Sequence, residues 1–180
     1  MINNYRATKD VKSFSKTVNK LRQFFLKRGF EEVHTQDRLS ILAACEDPST
    51  IATYDYAGEV WPLPQTGQMW LEYELLRDPS LPGVFCVSTS YRNEKNPIPG
   101  RHEIIFPMFE FESAGSLEDL RALEVDLCED IGFGGKKNYT HRTYDEMSKH
   151  YGSPELTSDH ERQMQTEFGP VFFLERFPLY

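Results

Sequence analysis

The chain has 180 residues, 39% of them hydrophobic and 27% charged, with 13 Phe and 9 Tyr. That is a globular composition with apolar mass for one core, and a single domain over 1–180 is the expectation. A formal charge of −8 excludes a surface that is all nucleic-acid footprint, though not a local basic pocket. No apolar run reaches membrane-spanning length, and the start, with Lys9, Asp10 and Lys12, lacks a secretory apolar segment, so no membrane partner and a cytoplasmic location are expected.

From Asp10, a plausible N-cap, the apolar positions Val11, Phe14, Val18, Leu21 and Phe25 step by three and four, and Gly29 stops the pattern. This predicts an amphipathic helix. Phe30 to Thr35 reads as a short strand, and Leu39 to Ala44 is undecided in type. Tyr54 to Leu63 predicts short strands and a turn, and Thr66 to Leu76 a helix with Met69, Tyr73 and Leu76 on one side. The three cysteines, Cys45, Cys86 and Cys128, are far apart and flanked by apolar residues, which predicts buried thiols and no metal site.

Between Val84 and Glu112 an apolar strand runs into Tyr91, Arg92, Asn93 and Glu94. A Lys, Asn, Pro and Gly loop follows, then Arg101, His102 and a second strand through Phe106 to Glu112. Arg92 offers phosphate oxygens a planar two-donor fork, and Glu94, on the same strand face, is placed to accept a base amino group. Lys95, Arg101 and His102 add polar groups in the loop, and Phe106 is an aromatic plate able to cover a base. Phe106, Met108, Glu110 and Glu112 share one parity and Pro107, Phe109 and Phe111 the other, so one face is functional and acidic while the other enters a core. Read alone, the pattern serves equally as an edge hairpin with a solvated, charged loop, and Phe106 as core.

Beyond it, Ser116 with Asp119 forms a capping box opening a helix with a Leu117, Leu120, Leu123, Leu127 and Ile131 stripe, closed by Gly132. Lys136 and Lys137 read as a solvated turn, or as part of a basic pocket. The capping device recurs at Thr143 with Glu146 and at Ser158 with Glu161, and Val171 to Leu174 reads as a buried strand. His34, His141, His150 and His160 read as surface or capping residues. Hairpins and helices outside strict alternation favour an α+β fold on an antiparallel sheet flanked by helices.

These residues resemble the class II aminoacyl-tRNA synthetases, within them the aspartyl, asparaginyl and lysyl subgroup. Arg92, Glu94, Arg101, His102, Phe106, Glu110 and Glu112 look like that family's motif 2. Leu63 to Glu72 is similar to the asparaginyl enzymes' segment in which a glycine and a glutamine open a helix beside the amino-acid pocket. Asp159 to Arg162 followed by Phe168 to Phe172 resembles a further asparaginyl stretch. The resemblance implies a class II synthetase-like fold that uses ATP and Mg2+ and activates an aspartate- or asparagine-like amino acid. By it, Arg92 is the catalytic residue and grips the α-phosphate, Glu94 reads adenine, Arg101 and His102 hold the outer phosphates and Phe106 stacks on the base. Gln68, Glu110 and Arg176 would meet the amino acid, although Gln68 is also readable as a solvated helix residue.

Three departures stand out. Gln36 and Asp37 replace the usual motif 1 proline, which puts the implied homodimer interface in doubt. Ile105 replaces an acid before the stacking phenylalanine, and Arg176 stands where an aspartate precedes the aromatic and proline. No counterpart of motif 3 follows, and the metal-binding acids before it would lie beyond Tyr180, so the expectation is a core incomplete at its C-terminus with weak or no adenylate formation on its own. The resemblance leaves three readings open: an adenylate-forming ligase, including the ammonia-using asparagine synthetase-like kind; a non-catalytic nucleotide- or amino-acid-binding relative; and a tRNA-charging fragment.

Overall fold

The computed structural model describes residues 10–35, 43, 46–99 and 102–178. They divide into two compact units at Ala114 and Gly115. The undecided segment from Leu39 to Ala44 falls, except for Ala43, outside the described residues, as do Gln36, Asp37 and Cys45.

In the first unit, α1 (Val11–Leu26) starts where the Asp10 carboxylate accepts the Lys12 N–H at 3.0 Å, relieving one of the donors a helix start leaves open. The expected stripe buries Val18 and Phe25, joined by Phe24, while Val11 stays exposed. β1 (Glu31–Glu32) follows at once and is shorter than the run from Phe30 to Thr35 had suggested. β2 (Thr53–Tyr56) and β3 (Glu59–Pro62) form an antiparallel hairpin with Tyr54 opposite Trp61, turning through Ala57 and Gly58 at φ 54° and 83°. α2 spans Gln68–Arg77, β4 Val84–Tyr91 and β5 Ile105–Glu112. β4 and β5 pair antiparallel from Val84 opposite Glu112 to Tyr91 opposite Ile105, and β1 runs parallel along the other edge of β4.

The pleat sorts this sheet as the parity predicted. On one face Phe85, Phe109 and Phe111 meet α1, whose Phe25 ring lies 5.8, 5.4 and 4.7 Å from theirs and 5.2 Å from Phe30. On the other face Val84 and Cys86 are fully buried under Leu71 of α2, with Leu75 alongside. The side of α2 is therefore corrected: Leu71 and Leu75 point inward, and Tyr73 and Leu76 face solvent, Leu76 at 81% exposure. Apolar residues surround this ten-residue helix, so periodicity did not choose a face; its rotation is set by the tie at its N-terminus described below.

In the second unit, α3 (Leu117–Ile131) opens with the Ser116 and Asp119 capping box and closes at Gly132, φ 106°. Its leucine stripe buries no residue fully. β6 (Thr140–Thr143) runs parallel to β7 (Phe172–Glu175), with α4 (Tyr144–Tyr151) and α5 (Ser158–Phe168) between them in sequence. Tyr139, Tyr144, Met147, Met164 and Val171 are its buried hydrophobics. The α5 cap sits one residue earlier than expected: Thr157 caps it, and His160, in place of Glu161, accepts the Thr157 N–H through Nδ1 at 3.0 Å. Two strand pairs are parallel, β1 with β4 and β6 with β7, while both hairpins are antiparallel. Lys136 is held by Asp126 and lies 3.7 Å from Glu129, so it forms an acid-paired turn. His141 is half-buried, stacked on Phe173 and 3.1 Å from Glu175. No helix among the described residues is long and apolar enough to cross a membrane.

The Thr143 cap carries a testable consequence. Thr143 Oγ1 accepts the Glu146 N–H at 3.2 Å while Glu146 accepts the Thr143 N–H at 2.7 Å, and these bonds hold the Glu146 carboxyl below its ordinary value. A depressed carboxylate adds stability above its unfolded-state pKa and loses it as pH falls through the folded-state one. Thr143→Ala should cost about 1 kcal/mol at neutral pH, and urea titrations should show the gap from the parent chain narrowing on acidification.

Candidate functional site

The mouth of the β4–β5 hairpin carries the groups singled out in the sequence. The Arg92 N–H donates to Ile104 O at 2.8 Å, extending the ladder past Tyr91, and the Asn93 N–H donates to Thr50 O at 2.8 Å. The 47–50 turn beneath is pinned by Gln65, only 1% exposed, whose amide accepts from the Asp47 N–H at 2.9 Å and donates to Asp47 O and Thr50 Oγ1. So anchored, Arg92 carries its guanidinium carbon 5.7 Å from the Phe106 ring centroid, a cation–π distance. Its Nε is buried with no hydrogen-bond partner among the described residues. Such a donor costs free energy unless a ligand meets it.

Glu94 and His102 come together, with Oε2 and Nδ1 2.7 Å apart, across the loop that separates them in sequence. Arg101 lies outside the described residues. Arg92, Glu94, His102 and Phe106 thus converge on one end of one hairpin.

Glu110 serves differently from a free substrate contact. Its carboxylate accepts the Gly67 N–H at 2.8 Å, the Ser88 hydroxyl at 2.6 Å, the Thr66 hydroxyl and, at 3.8 Å, the Cys86 thiol. Burial first, then the Glu110 charge, pushes Cys86 up to about 12, so this thiol is no nucleophile at neutral pH. The tie holds the start of α2 on the sheet so closely that a Cβ at Gly67 would lie 2.7 Å from Cys86 Sγ and 2.9 Å from Thr35 Cγ2. Gln68, the next residue, donates to Glu72 at 3.2 Å and bonds Glu112. Glu112 is raised chiefly by burial and further by the charges of Glu72 and Glu110.

Arg176 belongs to the second unit, where it follows β7 at φ 57°. Sequence reasoning singled out the segment from Leu63 to Glu72 without assigning its Gln65 or Thr66 a tie, and it missed Ser88, a polar residue inside the apolar β4 run. No group of three or more His, Cys, Asp or Glu among the described residues is arranged to hold a metal ion. A cavity of about 700 Å3 opens along the edge of β4 beyond β1, lined in part by Arg22, His34, Tyr54, Thr66 and Thr89. Its lining reaches Tyr91, the residue before Arg92.

The architecture has solved counterparts. The asparaginyl-tRNA synthetase of Pyrococcus horikoshii, complexed with asparaginyl-adenylate, matches 93% of this chain and 44% of its own at a TM-score of 0.76 and 24% identity. That of Entamoeba histolytica, also in complex with asparaginyl-adenylate, matches 93% and 43% at 0.74 and 23% identity. The fold is that of a class II aminoacyl-tRNA synthetase core. Within that class, the chain resembles the asparaginyl enzymes in sequence: asparagine–tRNA ligase of Koribacter versatilis is 33% identical over 115 residues, 63% of this chain and 25% of the ligase. The cytoplasmic enzyme of Mus musculus is 33% identical over 132 residues, 73% and 22%. The chain spans about a quarter of the length of these relatives. No sequence-family profile matches it.

Proposed function

We propose that the hairpin mouth is the nucleotide half of an adenylate-forming site acting on an aspartate- or asparagine-like amino acid. The observation that carries this reading is the buried, unpartnered Nε of Arg92 beside the Phe106 ring, which offers a phosphate oxygen and an adenine plate in one place. In the reaction a carboxylate oxygen of the amino acid attacks the α-phosphorus of ATP. The bond from that phosphorus to the oxygen bridging to the β-phosphate breaks, and pyrophosphate leaves. The Arg92 fork stabilises the charge that builds on the α-phosphoryl oxygens. Glu94 reads the adenine edge, Phe106 stacks on the base, and His102, with Arg101, meets the outer phosphates. Glu110 works through the start of α2, holding Gln68 toward the amino acid. Likeness to enzymes solved with asparaginyl-adenylate supports the substrate class.

ATP–pyrophosphate exchange, measured with aspartate and with asparagine, tests the proposal. Weak exchange dependent on either amino acid is the expected result for these 180 residues. ATP binding without exchange would reduce the site to a nucleotide-binding module, and absence of both would overturn it.

A further inference from the structure

Glu94 and His102 are brought together by the hairpin, across the eight positions that separate them. The Arg92 N–H on Ile104 O closes the stem, and the His102 N–H on Ile98 O, at 2.9 Å, turns the far side of the loop back toward it. Glu94 Oε2 then lies 2.7 Å from His102 Nδ1, at the short end of the range for a hydrogen bond to an ionised group. An ionised carboxylate only accepts, so the proton between the two atoms is carried by Nδ1. Neutral imidazole has a single N–H, and the bond made by one ring nitrogen decides the state of the other. His102 Nε2 is therefore left with a bare lone pair. It has no partner among the described residues, and the side chain is 34% exposed.

A phosphate oxygen is also an acceptor. Two lone pairs repel, so neutral His102 in this tautomer has nothing to donate to the outer phosphates that the proposed nucleotide reading, on which this inference rests, brings to it. A second proton, on Nε2, converts the same ring into a cationic donor. We propose that Glu94 is a positioning residue that fixes the His102 proton on Nδ1, so that the loop grips the outer phosphates of a nucleoside triphosphate only as it takes up one proton. Glu94 keeps Oε1 for the adenine edge. Because the ligand favours the protonated ring, phosphate and proton strengthen each other's binding. Affinity should rise as pH falls, by up to about 10-fold per unit over the range where the free ring is neutral and the bound ring charged. The other charged groups of the hairpin mouth are Arg92 on β4, Lys95 next to Glu94, Glu103 next to His102, Arg101, outside the described residues, and Asp47 on the turn beneath, near enough to Arg92 to feel its charge. None of them pairs with the His102 ring among the described residues.

The tautomer can be read without ligand. In the free chain at about pH 8, above the ordinary imidazole range, long-range proton–nitrogen spectra should show His102 protonated at Nδ1. Glu94→Gln, whose amide can donate to Nδ1, should shift the ring toward the Nε2–H form. Calorimetry in buffers of different ionisation enthalpy then counts protons at the same pH, where phosphate groups are fully ionised. ATP should bind the parent with uptake of close to one proton, and AMP, which lacks the outer phosphates, with none. Glu94→Gln should lower the uptake on ATP to less than about half. His102→Gln should abolish it and weaken ATP binding about 10-fold, with circular dichroism checking the fold of both variants. An Nε2–H ring in the free parent, ATP binding without uptake, equal uptake with AMP, or a parent-like tautomer and uptake in Glu94→Gln would each overturn the inference and leave the nucleotide site standing. If neither ATP nor AMP binds the parent, the nucleotide reading falls and this inference with it.

Discussion

Arg92→Ala should weaken ATP binding by about 30- to 150-fold, the loss of a charge-assisted fork of roughly 2 to 3 kcal/mol, while leaving the fold in place. Both halves follow from one geometry. Arg92 Nε is buried without a partner among the described residues, so its removal deletes an unmet donor rather than a satisfied one. The Gln65 tie that pins the 47–50 turn, and the Asn93 N–H that rests on Thr50, are untouched. Calorimetry should show the affinity loss beside a urea midpoint close to that of the parent. Arg92→Lys should fall between the two, keeping the charge but losing the planar fork. Unchanged affinity in Arg92→Ala would mean that phosphate does not sit here, whereas a large stability loss would reassign Arg92 to the scaffold.

Phe25→Ala should have the largest effect on stability, about 3 to 5 kcal/mol. Its ring is fully buried and meets five others: Phe24, Phe30, Phe85, Phe109 and Phe111. These come from α1, the approach to β1, and both strands of the central hairpin. Truncation leaves a cavity where three segments join, and rigid neighbouring rings close it poorly. Against a typical total of 5 to 15 kcal/mol, such a loss is a large fraction. The expected result is a lowered urea midpoint with an unchanged slope; a loss below about 1 kcal/mol would show that α1 does not anchor the sheet.

Much of this was legible in the residues. Asp10, Ser116 and Thr143 announced helix starts because a capping side chain acts on its own next turn. The central hairpin was readable from parity, since a strand that buries one face must alternate. The α5 start slipped by one residue because Thr157 with His160 and Ser158 with Glu161 are chemically similar capping pairs, and only the ring orientation chooses between them. The side of α2 and the duty of Glu110 were not readable. Thr66 and Gly67 lie more than 40 positions before Glu110, and nothing local marks a carboxylate as already surrounded by four donors.

Local and periodic information therefore sufficed for the α1 helix, the β4–β5 hairpin and the capped starts of α3 and α4, while the reading of Arg92, Glu94, His102 and Phe106 as a candidate phosphate and base cradle also drew on the family resemblance. Each is written in spacings of a few residues, the range over which backbone geometry repeats. Packing decided that Arg92 keeps an unmet donor over Phe106, that Glu94 pairs with His102, and that Glu110 ties α2 to the sheet. It also left Lys12, Lys16 and Lys20 of α1 on the side away from the core. Those outcomes depend on which distant groups come within about 3 Å for hydrogen bonding, and that distance is set by the fold as a whole.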